Sequence, residues 1–250
     1  LLSESEKIPL WAYRLVENII QSSFAEIKVV VYPEEENPPA DSIGCWQDWL
    51  LSVYLKIDKS FNKLSPDAFE LKNLQGLGFP IPRVRVRPIR NLAEVSFSKE
   101  DCEQLRGYDL DVLIDVNFGV IKGDILSCAR CGIWSYQHSQ LSALREVLTG
   151  DGKTTAVLKV SLAGCDQEII LYRAYEQTIK LSVCSYMNNN HWKTSSCLFR
   201  RLYELATLGR AGFFENIRSR PDLMPDNAAE LGTSCNMLGW ISLVYHHLKK

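Results

Sequence analysis

The chain has 250 residues, 46% hydrophobic and 23% charged, with a formal net charge of -2. That balance is ordinary for a globular protein able to bury a substantial core, and it excludes the concentrated positive charge of a nucleic-acid binder. No apolar run reaches the ~20 residues of a membrane helix, and the N-terminus lacks the basic-then-apolar order of a signal peptide, so no membrane partner is expected.

The opening LLSES reads as the end of a strand and the loop after it. Pro9 suits a helix start, and Leu10, Tyr13, Leu15, Val16, Ile19 and Ile20 then recur at helical spacing to about Ser22. EIKVVVYP (26–33) is a β-branched run ended by proline, hence a strand, and EEENPPADS is a loop. Trp46, Trp49, Leu50, Val53 and Tyr54 predict a helix over 44–61, packed on the sheet or bridging to a partner. QGLGFPIP (75–82) is a turn; it lacks the lysine and the helix start of a phosphate loop. RVRVRPI is a strand whose spacing of two puts Arg83, Arg85 and Arg87 on one face, with Arg90 beyond. That stripe is either a solvated strand face or an anion contact.

Ser98 caps a helix over 98–106 with acidic Glu100 and Asp101 in its first turn. LDVLIDVNF (110–118) is nearly continuous in apolar residues, as a parallel strand covered on both faces would be. A turn and short helix over 119–130 lead to the next strand, GIWSY. Strands alternating with short helices predict an α/β fold, a mainly parallel Rossmann-like sheet flanked by helices. After His138 come a helix (141–148) and two strands (154–162 and 168–175), whose short connection predicts an antiparallel edge. Residues 188–190 read as a polar turn, 192–208 as a helix stopped by Gly209, and SRPDLMPDN as a linker before a C-terminal helical extension. The expected division is an α/β domain over 1–209 and a linker with C-terminal helix over 210–250. That helix either connects to a fused domain or packs on the sheet.

Of eight cysteines, Cys128, Cys165, Cys184 and Cys197 sit in apolar or helical patterns. They read as free, buried thiols, which favours a reducing, cytoplasmic setting. Cys128 and Cys131 form one CxxC without a second pair or suitably spaced histidines, so no zinc site is expected.

Ligands of parallel sheets bind beyond the carboxyl ends of the strands. Asn117, Phe118 and Gly119 end one strand; Ser135, Tyr136, Gln137 and His138 end the next. His138 is the natural acid/base candidate, with Asp166 after a later strand to orient it; the alternative is a satisfied loop histidine. No GxSxG elbow supports serine chemistry.

The blocks IPLWAYRLVENI, YDLDVLIDVNFGVIKGDIL, ARCGIWSYQH, IILYRAYEQTIKLSV and NNHWKTSSCLFRRLYEL cover most of 8–208. In this order they resemble the formyltransferase N-terminal family, the fold of methionyl-tRNA formyltransferase, glycinamide ribonucleotide transformylase and amino-sugar formylating enzymes. The likeness is greater to bacterial formyltransferase-like domains sometimes fused to a carbohydrate-enzyme-like domain. The resemblance implies formyl-tetrahydrofolate as cofactor, lying along Asn117, Phe118, Gly119, Val120 and Ile121, and a small-molecule amine acceptor such as an amino sugar. It also implies a catalytic Asn and His two apart, and a later Asp in an LDxG loop.

This chain departs from that pattern. With Gly132 anchoring the register, Ser135 falls at the Asn position and Gln137 at the His position, while His138 is one residue late and so on the opposite strand face. Asp166 matches the Asp, but Glu168 replaces the glycine. SQLSALREV runs almost directly into a helix, so the loop that closes over the acceptor in relatives is short or missing. Losing one oxyanion donor typically costs about a hundred- to a thousand-fold in rate, and glutamine cannot shuttle a proton near neutral pH. Ser135, Gln137, His138 and Asp166 therefore describe a rebuilt site or a retired one. The expected function is formyl transfer to an amine of a sugar or sugar nucleotide. The alternatives are a non-catalytic binding or scaffold module attached to a carbohydrate-active domain, and a transfer reaction with another donor.

Overall fold

A computed structural model describes residues 1–34, 46–62, 64–78, 80–91, 94–137, 154–165, 167–176 and 182–223. In chain order the strands are β1 (Lys7–Pro9), β2 (Val30–Pro33), β3 (Leu71–Asn73), β4 (Arg83–Val86), β5 (Ile89–Asn91), β6 (Glu94–Ser96), β7 (Leu113–Asp115), β8 (Val120–Ile121), β9 (Ile133–Gln137), β10 (Thr154–Ser161) and β11 (Ile169–Glu176). The helices are α1 (Leu10–Gln21), α2 (Trp46–Phe61), α3 (Lys99–Arg106) and α4 (Val183–Arg218). The architecture is mixed α/β, with several small sheets that are part parallel and part antiparallel.

Local chemistry accounts for α1 and α3. Pro9 precedes α1 with φ -57°, and the spaced apolar residues Leu10, Trp11, Leu15, Val16 and Ile19 are buried along one face. Ser98 caps α3: its Oγ accepts the Asp101 N–H at 3.0 Å. β10 and β11 pair antiparallel, as their short connection predicts.

The first residues are the end of a strand. Leu2 bridges Val31 on one side and Asp115 on the other, both in parallel sense. Its N–H donates to Ile114 O at 2.8 Å, and its carbonyl accepts the Val116 N–H at 3.1 Å. The parallel pair β2–β4 is thereby tied through 1–3 to the row β7–β9–β10–β11, in which β7 and β9 are parallel.

Each face of this row has its own core. Ile114, Trp134, Leu158 and Val160 pack with Trp11, Leu15, Leu198 and Phe213. Leu113 and Ile133, pointing the other way, pack with Val31, Val84, Phe97, Leu105 and Phe118. The arginine stripe is a solvated strand face: Arg83 and Arg85 alternate with buried Val84 and Val86. Arg83 pairs with Glu6 at 3.5 Å, Arg87 with Glu34 at 2.6 Å and Arg90 with Glu4 at 2.6 Å.

Several expectations are corrected. The strand expected over 110–118 is only Leu113–Asp115, because the Asp115 carboxylate accepts the Phe118 N–H at 2.8 Å and turns the chain. The short helix expected over 119–130 is a 3-10 helix, Asp124–Ser127, and the two-residue strand β8 precedes it. Residues 188–190 are not a turn. They lie within α4, with Asn188 and Asn190 buried and Asn189 exposed, and Asn188 Oδ1 accepts the Ala68 N–H at 2.7 Å. A distant backbone partner overrides the turn preference of asparagine. The start of α4 is held by Ser182 Oγ on the Ser185 N–H at 3.0 Å and by the buried Asp58 carboxylate on the Cys184 N–H at 2.8 Å.

Gly209, with φ 67° and ψ 171°, does interrupt the helix, but helical backbone resumes to Arg218. Phe213, Phe214, Ile217 and, beyond them, Leu223 join the first core, so 210–223, placed outside the α/β domain on sequence, packs against the rest. Cys128 and Cys197 are buried as expected and Cys184 is half-buried, whereas Cys165 is exposed. The expected helices at 141–148 and after 224 lie outside the described residues. No helix among the described residues is long and apolar enough to cross a membrane.

Asn188→Ala strands the buried Ala68 N–H without an acceptor. It is expected to cost about 1–3 kcal/mol, seen as a lower melting temperature in a thermal scan. Unchanged melting would show that this contact between the turn before β3 and α4 is dispensable.

Candidate functional site

The parallel strands end at a common edge. Glu4 follows the first strand, Asn117 follows β7, and Gln137 closes β9. Glu4 donates its N–H to Asn117 Oδ1 at 2.9 Å, so the two ends meet. The register places Asp115 opposite Ser135, and Ser135 opposite Lys159. Directly opposed residues share a sheet face, so these three form one polar row above the apolar Leu113 and Ile133 of the second core.

Asp115 is the least expected member. It is 6% exposed and makes no ion pair among the described residues. Its carboxylate accepts the Phe118 N–H at 2.8 Å. Burial pushes the carboxyl up to about 7; the amides of Phe118 and Asn117 pull against this, nearby Glu4 adds to it, and Lys159 opposes it. Each charged neighbour is held elsewhere. Glu4 is bound to Arg90, and Lys159 Nζ lies 2.7 Å from Glu168, whose other oxygen accepts Ser161 Oγ at 3.2 Å.

Ser135 is half-buried in the row. Its neighbour Tyr136 points to the opposite face, where its hydroxyl donates to Thr194 O. Gln137 pairs by its backbone with Val157. The Gln137 side chain, His138 and Asp166 lie outside the described residues.

The residues expected along the folate divide between two tasks. Phe118 and Ile121 are buried in the second core, with the Phe118 ring 5.6 Å from that of Phe97. Asn117, Gly119 and Val120 are exposed, and Gly119 holds φ 92°, which lets the chain reverse there. The surface this stretch presents is therefore its exposed backbone, Val120 and the outer side of Asn117.

Sequence reasoning missed Asp115. The available signal was a carboxylate inside an apolar run, followed closely by Asn117 and Gly119. A charge in such a run is either at the surface or buried at a cost.

A cavity of about 460 Å³ opens at the opposite ends of the strands, lined by Leu1, Ile27, Val112, Cys131, Leu205 and Arg210. None of the described candidate residues lines it. Among the described residues no cluster of histidine, cysteine or carboxylate side chains is arranged to hold a metal ion. No family model matches the chain, and no curated protein matches it.

Proposed function

We propose that the chain is a formyltransferase-like domain with a Rossmann-like order of parallel strands. It transfers a formyl group from formyl-tetrahydrofolate to an amine of a sugar or sugar nucleotide, at the strand ends marked by Glu4 and Asn117. The observation that carries this is the strand order around 1–3. From the first strand the chain leaves through α1 to β2 on one side, whereas β7 leads to β9 on the other. The ends of the first strand and β7 are thus neighbours whose connections diverge, the point at which α/β sheets open a ligand crevice. Glu4 and Asn117 sit at that point.

The chemistry asks for hydrogen-bond donors toward a developing oxyanion and for a route that moves a proton. Ser135 supplies a hydroxyl where relatives carry asparagine, and the exposed backbone at Gly119 and Val120 supplies donor-side contacts.

A second reading, a retired binding or scaffold module attached to a carbohydrate-active domain, is favoured by one observation. The Asn117 amide oxygen already serves the Glu4 backbone. Isothermal titration with folinic acid separates the two. Micromolar binding, followed by formylation in an amino-sugar screen, is the expected outcome; no heat at millimolar ligand would leave the module reading.

A further inference from the structure

We propose that Asp115, acting through the Ser135 hydroxyl, accepts and returns the proton that moves during transfer. This rests on the formyl-transfer reading above and adds a group outside the residues that the resemblance implies.

The geometry has three parts. Asp115 and Ser135 are register partners on adjacent parallel strands and share one face at the crevice end of the sheet. Asp115 is almost wholly buried, and Ser135 beside it is half-buried. Among the described residues no cation forms an ion pair with the carboxyl. From the first strand it faces Glu4, which Arg90 of β5 holds; from β10 it faces Lys159, which Glu168 holds; among the described side chains β9 contributes Ser135. A buried carboxyl with no counter-ion exchanges its proton near neutrality, as a general base must. The Gln137 that stands where relatives carry histidine has no such proton to exchange.

The step balances without an outside reagent. The acceptor nitrogen attacks the formyl carbon, and a C–N bond forms. The nitrogen's proton passes to Ser135 Oγ as the hydroxyl proton passes to Asp115. The bond from the formyl carbon to the folate nitrogen then breaks, and the proton returns along the same path to that nitrogen. The formyl group and one proton have changed places.

Asp115 also shapes the strand-end turn through its bond to the Phe118 N–H, and a purely structural role is the competing explanation. Asparagine separates the two, because its Oδ1 keeps that acceptor and its amide cannot exchange a proton. The experiment measures folinic acid binding and formyl transfer to amino sugars, from pH 5 to 9, for the parent chain, Asp115→Asn and Ser135→Ala. Asp115→Asn is expected to bind folinic acid within about threefold of the parent and to lose roughly a hundred- to ten-thousand-fold in transfer rate. The parent's acid limb near neutral pH should vanish with it. Ser135→Ala tests the route independently of whether Asp115→Asn folds, and is expected to lose at least about a hundredfold. Parental rate and pH profile in either variant, with an active parent, overturn the relay and leave the formyl-transfer reading standing. A parent that neither binds folinic acid nor transfers formyl overturns both.

Discussion

Asp115→Asn is expected to raise the melting temperature at pH 8 and to leave it nearly unchanged at pH 4. The carboxyl is raised by burial from an ordinary 3.8 to about 7. Below 3.8 the folded and unfolded chains both carry the proton, and the group contributes no pH dependence. As pH rises through the window from 3.8 to 7, the unfolded chain releases the proton while the folded chain still holds it. The unfolded state then binds fewer protons, so stability falls with rising pH and levels off above about 7. At about 1.4 kcal/mol per unit, the loss across the window is of order 4 kcal/mol. Asparagine is neutral throughout and keeps the acceptor for the Phe118 N–H, so it escapes this loss. For a chain of this size the gain at pH 8 corresponds to about 10 °C. Thermal scans of both proteins at pH 4, 6 and 8 test it; a variant less stable than the parent at pH 8 would mean that the ionised carboxylate is well accommodated. In the expected outcome the proposed relay joins a rate-supporting group to a stability cost, a common trade at working sites.

Gly132→Ala is expected to be the most damaging single substitution at the strand ends. Gly132 has φ 71°, a region that alanine enters only with strain. A Cβ there would stand 2.4 Å from Ser161 O and 2.7 Å from Leu162 Cδ2. The nearer atom is backbone, and Ser161 is paired with Ile133 at the start of β9, so relief requires parting β9 from β10. Strain and overpacking together cost about 3 kcal/mol or more. Denaturant unfolding should show a midpoint well below the parent's, or the variant should fail to fold. A parental midpoint would mean that β9 and β10 separate there at little cost. The glycine also sets the row in which Asp115, Ser135 and Lys159 lie opposite one another, so a shifted β9 would take the candidate site apart.

Local signals carried part of this architecture. The Ser98 cap, the Pro9 start of α1, the short link between β10 and β11, and the strand ending in LLSES all act within a few residues of themselves, and each is in place. Other features had no local signal. Asn188 reads as a turn residue until Ala68, 120 positions away, offers it a buried N–H. Arg90 leaves its strand to meet Glu4, 86 positions away. The segment 110–118 reads as one strand because its apolar content outweighs the single aspartate that bends it.

The candidate site shows the same division. The strand-end positions of Asn117, Ser135 and Gln137, and the replacement of the residues that the resemblance implies, are matters of order and spacing, which the sequence determines by itself. Whether a carboxyl two positions before Asn117 sits in water or in a core depends on what covers it. The bridge of 1–3 alongside β7, the small sheet β5–β6–β8 and the second core supply that cover. Burial is a property of several distant segments at once, so only the tertiary structure decides that Asp115 holds its proton near neutrality.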